Sequence, residues 1–105
     1  MKYILKDVAN VIRSKNAGPY ELTLDVLLRD EAIFTKLRQA DIINKKTVAA
    51  LYRIPEQDVL SIVYFPNALA IKATIVRPLP SGAMGERDVY GAQQHAPLVN
   101  FAFEL

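Results

Sequence analysis

Three observations predict an α+β protein, with helices on one face of an antiparallel sheet. Residues 20–28 alternate apolar and polar over a full strand length, and two segments of helical period follow between residues 30 and 54. Two further β-rich runs, 59–65 and 68–76, meet at Pro66 and Asn67. With 105 residues, 51% of them apolar, the chain has the length and composition of one small domain with a real core.

The elements can be justified in chain order. Residues 3–12 read two ways: Ile4, Leu5, Val8, Val11 and Ile12 fit a short helix, whereas Val11, Ile12 and Arg13 equally open a strand. Gly18 and Pro19 then break the chain. In 20–28, Leu22, Leu24, Val26 and Leu28 point one way and Glu21, Thr23 and Asp25 the other, which defines a half-buried strand. Asp30 is placed to cap a helix, with Glu31 in a first turn whose dipole favours negative charge. Ile33, Phe34, Leu37 and Ala40 follow at helical spacing. Asn44 is placed to cap a second helix that carries Val48, Leu51 and Tyr52 and stops at Pro55. Lys45 and Lys46 oppose that start, because cations sit unfavourably at a helix N-terminus.

Residues 59–65 are β-branched and nearly all apolar, as in an interior strand. Pro66 and Asn67 make a tight turn, with Asn67 suited to a left-handed conformation. Residues 68–76 return with Leu69, Ile71, Ala73 and Ile75 on one face, and Pro78 and Pro80 end the run. Residues 88–96 predict a short helix capped by Asp88 and closed before Pro97. Val99, Phe101, Phe103 and Leu105 alternate in a final strand. The series is β-α-β-β-α-β, which is that of a ferredoxin-like sandwich.

Composition removes several classes of function. A net charge of +2, with Lys, Arg, Asp and Glu interspersed and no basic run beyond Lys45 and Lys46, argues against nucleic acid as a partner. The absence of cysteine excludes disulfides, a thiolate nucleophile and a cysteine-ligated metal, and a lone histidine excludes a histidine-rich metal site within one subunit. No metal or cofactor is therefore expected. No apolar run reaches membrane-spanning length and the start of the chain lacks the apolar core of a signal peptide, so the expectation is a soluble cytoplasmic protein without a membrane partner.

The face of the sheet turned away from the helices has the expected members Thr23, Asp25, Leu27, Ala70, Thr74, Val76 and Ala102, with Lys72 and Glu104. That mixture is too apolar for a fully wet face, and predicts packing on another copy or a partner.

Two segments hold the residues that could carry chemistry. Residues 80–95 contain three of the four glycines and the only histidine, with Ser81, Gly82, Arg87, Tyr90, Gln94 and His95 as ligand contacts or loop anchors. The other segment is Arg13, Ser14, Lys15, Asn16 and Gly18. There, two cations, a hydroxyl and exposed amides beside a turn suit a carboxylate or phosphate, although a solvated loop has the same composition. The spacing is not that of a Walker loop. His95 and Asp25 are the weak candidates for an acid or base. A lone histidine at a helix end is more often a cap, and strand-face carboxylates such as Asp25 and Glu21 are commonly solvated.

Residues 11–25, 68–75, 77–82 and 88–98 together resemble an uncharacterised bacterial and archaeal family of about this length, carried as a domain of unknown function. The resemblance runs from about Leu5 to Glu104. That family is in turn similar to the small C-terminal ferredoxin-like domain of acyclic-terpene-utilisation type proteins. In that domain an Arg-Ser-Gly-Asp-Lys-Gly motif stands where this chain has Arg13, Ser14, Lys15, Asn16, Ala17 and Gly18. Arg13, Ser14 and Gly18 match the motif; Lys15 and Asn16 stand in shifted order. The resemblance implies a stand-alone small subunit that works beside a larger protein of that type. The expected function is accordingly binding of an organic acid or acyl thioester, or an accessory role, within a catabolic complex. A small isomerase or lyase with sites at the interface of a homo-oligomer, and a structural interaction module, are the alternatives.

Overall fold

In the computed structural model the described residues are 1–18, 20–77 and 96–105. Local chemistry accounts for where each element starts and stops. After a short strand β1 (Lys2–Ile4) and a single helical turn α1 (Leu5–Val8), strand β2 runs over Ala9–Asn16 and β3 over Glu21–Leu28. Helix α2 (Glu31–Gln39) starts where Asp30 Oδ1 accepts the Ala32 N–H at 2.7 Å. Helix α3 (Lys45–Tyr52) has a reciprocal cap that overrides its two leading lysines. Asn44 Oδ1 accepts from the Thr47 N–H at 2.9 Å, and Thr47 Oγ1 accepts from the Asn44 N–H at 3.0 Å. Ile43 and Val48, the residues flanking that cap at staple positions, are both buried. Arg53, left-handed at φ 56°, ends the helix two residues before Pro55.

Strands β4 (Val59–Phe65) and β5 (Ala70–Val76) follow, joined by a 3₁₀ turn at Pro66–Ala68. The left-handed residue of that connection is Leu69, at φ 51°, rather than Asn67. The chain closes with a helical turn α4 (Ala96–Val99) and strand β6 (Ala102–Glu104). Pro97 lies inside α4, not beyond a helix as its sequence position predicts. In a first turn the missing proline N–H removes no hydrogen bond.

All strand pairing is antiparallel. Strands β2, β3, β5 and β4 form one sheet in that order, while β1 and β6 form a separate two-stranded ribbon, Tyr3 opposite Phe103. The molecule is thus α+β, with two sheets. The last strand does not join the main sheet: its ring Phe103 stacks on Tyr3 at 5.8 Å and Phe101 at 5.7 Å, which holds β6 against β1. Ala102 and Glu104 therefore lie outside the open face of the main sheet, where the sequence reading put them.

One face of that sheet is covered. Leu22, Leu24, Val26, Ile71, Ala73 and Ile75 meet Ile33, Phe34, Leu37 and Val48 from α2 and α3 in one core. Leu5, Leu98 and Phe103 join the same core from α1, α4 and the ribbon. Tyr64 adds a polar tie to this layer: its hydroxyl donates to the Ile43 carbonyl at 2.7 Å and its ring meets Phe34 edge-on at 5.9 Å. Among the described residues, no helix is long and apolar enough to cross a membrane.

Two stability outcomes follow. Leu37 has no exposed surface, so Leu37→Ala should cost about 2–5 kcal/mol in urea denaturation, against about 1 kcal/mol for Asn44→Ala, which removes only the cap. Burial raises the Tyr52 hydroxyl above its ordinary pKa, and burial chiefly does the same at Tyr64. A pKa higher in the folded state than in the unfolded one gives stability that is complete below about pH 10 and is lost as pH rises beyond it. The urea midpoint should therefore fall between pH 9 and pH 11, and Tyr52→Phe should reduce that fall.

Candidate functional site

The segment read as a donor-rich loop is mostly strand. Arg13, Ser14, Lys15 and Asn16 all belong to β2, and the Ala17 N–H, just past the strand, donates to the Glu21 carbonyl at 3.0 Å. Gly18 follows at φ 109°, a conformation that side chains disfavour, and a methyl group there would meet open space. The physical reason for the difference is pairing. Val11 and Ile12 start a strand, and residues 21–28 supply a partner that extends it through polar residues.

Because successive side chains of a strand alternate, the five-residue cluster is split between two faces. Arg13 and Lys15 point to the open face. Ser14 and Asn16 point to the covered one, Ser14 opposite Leu24 and Asn16 opposite Leu22. These residues do not make one site.

The open face is ordered in rows across all four strands. The first is apolar: Val11, Leu27, Ala70 and Phe65. The second carries charge: Arg13, Asp25, Lys72 and Val63. The third is polar: Lys15, Thr23, Thr74 and Ser61. In the middle row Arg13 Nε donates to Asp25 Oδ2 at 3.1 Å, the one ion pair among the described residues. The two partners differ in environment, with 57% of the Arg13 side chain exposed and only 12% of Asp25. Neighbouring strands on both sides shield Asp25, whereas Arg13 lies on an edge strand and reaches over it. Thr23 Oγ1 donates to the Lys15 carbonyl at 3.3 Å and ties the next row to the same edge. The face carries Arg13, Lys15 and Lys72 against Asp25 and Glu21, an excess of positive charge suited to an anionic ligand or partner surface.

Three of its apolar members are exposed, while Leu27 and Ala70 are half-buried. Val11 is 37% exposed, Val63 41% and Phe65 44%.

The covered face holds a second polar group, which sequence reasoning missed. Arg77 follows β5 directly, and its N–H donates to the Tyr20 carbonyl at 2.9 Å, so the alternation of Ile71, Ala73 and Ile75 carries its side chain to the covered face. There Arg77 Nη1 donates to Asn16 Oδ1. The available signal was the phase of that alternation: an arginine two residues after buried Ile75 continues the inward series.

Ser81, Gly82, Tyr90, Gln94 and His95, together with the expected helix at 88–96 up to residue 95, lie outside the described residues. Among the described residues, no three His, Cys, Asp or Glu side chains gather as metal ligands would. A groove of about 390 Å³ runs between α2 and the β4–β5 turn, lined by Glu31, Phe34, Arg38, Pro66 and Leu69 among others. It lies at the end of the sheet away from Gly18, and none of the sequence-predicted site residues borders it.

One family model, described as a domain of unknown function (DUF4387), matches residues 5–102. The chain belongs to that family. No curated protein and no solved structure matches the chain.

The geometry predicts how the ion pair responds to substitution. Asp25 is shielded on both sides although its partner is exposed, so Arg13→Ala, which strands the carboxylate, should cost about 1–3 kcal/mol in urea denaturation. Gly18→Ala, by contrast, should cost about 1–2 kcal/mol through backbone conformation alone, since no contact is lost or gained. Equal midpoints for Gly18→Ala and the parent protein would show that the backbone there relaxes freely.

Proposed function

We propose that this protein is an accessory subunit of a catabolic complex. It docks through the open sheet face on a larger protein of acyclic-terpene-utilisation type, and meets an anionic group, of an organic acid or acyl thioester, with Arg13, Lys15 and Lys72. The observation that carries this reading is the row order of that face: an apolar row with exposed ends, Val11 and Phe65, directly beside a charged one. Apolar side chains in such a row gain by removal from water, at about 25 cal/mol per Å² buried. Charges alongside them fix orientation and reject wrong partners more than they add affinity.

The larger protein enters from likeness. The motif containing Arg13, Ser14 and Gly18 is similar to that of the ferredoxin-like C-terminal domain of acyclic-terpene-utilisation type proteins. Asp25 fits an orienting role better than that of a base, because Arg13 already occupies one of its oxygens.

Co-expression with such a protein, followed by size-exclusion chromatography with light scattering, tests the reading. The two chains should co-elute in a fixed ratio, and Phe65→Glu should abolish co-elution while leaving the circular dichroism of this chain unchanged. Arg13→Ala should weaken binding of the complex's anionic substrate at least tenfold. Separate elution of the two wild-type chains would overturn the docking reading, and full complementation by Arg13→Ala would remove the anion role.

A further inference from the structure

The four-stranded sheet has two edges, β2 and β4, and they are built differently. An edge strand offers a row of unpaired N–H and C=O groups to any strand that can lie beside it; charged side chains and bulges are the usual defences. Strand β2 has both. Arg13 and Lys15 stand on one face of it, and its register shifts between Ala9 and Val11. An antiparallel copy of β2 centred on Ser14 would bring Arg13 against Lys15. Strand β4 reads Val-Leu-Ser-Ile-Val-Tyr-Phe, with no charge and no proline. Its irregularity lies at the start, between Val59 and Ser61, which leaves residues 61–65 regular. Among the described residues β5 is the only strand paired with β4, and Val63 and Phe65 are exposed.

We propose that β4 pairs antiparallel with β4 of a second copy about a two-fold axis at Val63, joining two four-stranded sheets into one. The axis must pass through a residue, because an axis between residues would set inward side chains opposite outward ones. Val63 is the centre of the regular run. On the open face Val63 then meets its own copy, and Ser61 meets Phe65, small against large. On the helix side Ile62 meets Tyr64, a β-branched side chain against a ring, which is a favourable cross-strand pair. Both are half-buried in one copy, so each has surface left to cover. Tyr64 is already ordered, since its hydroxyl donates to the Ile43 carbonyl and its ring rests on Phe34. No like charges meet in this register. The contact is isologous and closes at two copies, whereas pairing β4 with β2 would run head to tail into a filament, which the cations and bulge of β2 oppose. Edge pairing leaves the open face uncovered. It does not depend on docking to a larger protein, so either reading can fail alone.

The test uses the protein by itself. Light scattering from micromolar to near-millimolar concentration should show a mass that rises to twice the 11.7 kDa of the chain and no further. Val63→Lys and Val63→Glu should each be monomeric where the parent protein is dimeric, with unchanged circular dichroism. An equimolar mixture of the two variants should recover the dimer, since a two-fold axis at residue 63 sets their opposite charges face to face. Should either variant fail to fold, the parent protein still decides: amide hydrogen exchange in residues 61–65 should slow several-fold as the dimer fills, while that of residues 11–16 stays constant. A monomer at every concentration would overturn the proposal, as would a dimer that survives both substitutions. A mixture that stays monomeric, or exchange in 61–65 that is indifferent to concentration, would overturn it as well.

Discussion

Strand β3 is paired on both sides along its length, to β2 and to β5, and its alternation therefore governs every neighbour. Leu22, Leu24, Val26 and Leu28 are all buried on the helix side. A one-residue slip would turn that series outward and drive Thr23 and Asp25 into the apolar layer against Phe34 and Leu37. The register is consequently not negotiable, and the position of each possible site residue follows from it. Arg13 must face Asp25 and Lys72, and Ser14 must face Leu24 and Ala73.

Charge is arranged to agree with that constraint. Asp25 sits on a central strand, where neighbours remove most of its water, and a carboxylate there needs a partner. Arg13 supplies one from the edge strand, and can do so only in the native register. Loss of Arg13 would leave that carboxylate shielded and unpaired, and the pair marks the correct alignment of β2 on β3. At the far end of the sheet the backbone bond from Arg77 to Tyr20 extends β5 against β3 by one residue beyond Val76. That single extra step turns a terminal arginine inward. Both notable cations of the molecule are thus placed by strand phase, one outward and one inward.

Strand phase also explains what could be read from the sequence. Residues 21–28, 59–65 and 70–76 carry their own alternation or β-branched runs, and Asp30 and Asn44 carry their own caps; these signals are local and survive folding. The family was legible too, because its motifs are contiguous. Residues 9–16 were harder. Asn10, Arg13, Ser14, Lys15 and Asn16 have weak strand character, and β3 holds them in a strand from outside the segment. The short ribbon of β1 and β6 depends on a contact between residues about a hundred positions apart, which no local pattern announces. Leu69 shows the same limit on a smaller scale: Asn67 has the propensity for a left-handed turn, yet the geometry that joins β4 to β5 places the positive φ two residues later.

Reading residues 13–18 as one anion-binding loop was the expectation most altered by the fold, and the change has chemical content. A loop would have let Arg13, Ser14, Lys15 and Asn16 converge on one ligand. A strand forbids it, since adjacent side chains leave on opposite sides of a sheet whose covered face is apolar. Cations on the open face remain in water until a partner removes it, so their strength is latent and their selectivity depends on what docks. The inward group lies where the dielectric is already low, and there a hydrogen bond to charge is stronger from the start. The same short run of sequence therefore serves two electrostatic regimes, and a substitution at an odd-numbered position in it reports on a different surface from one at an even-numbered position.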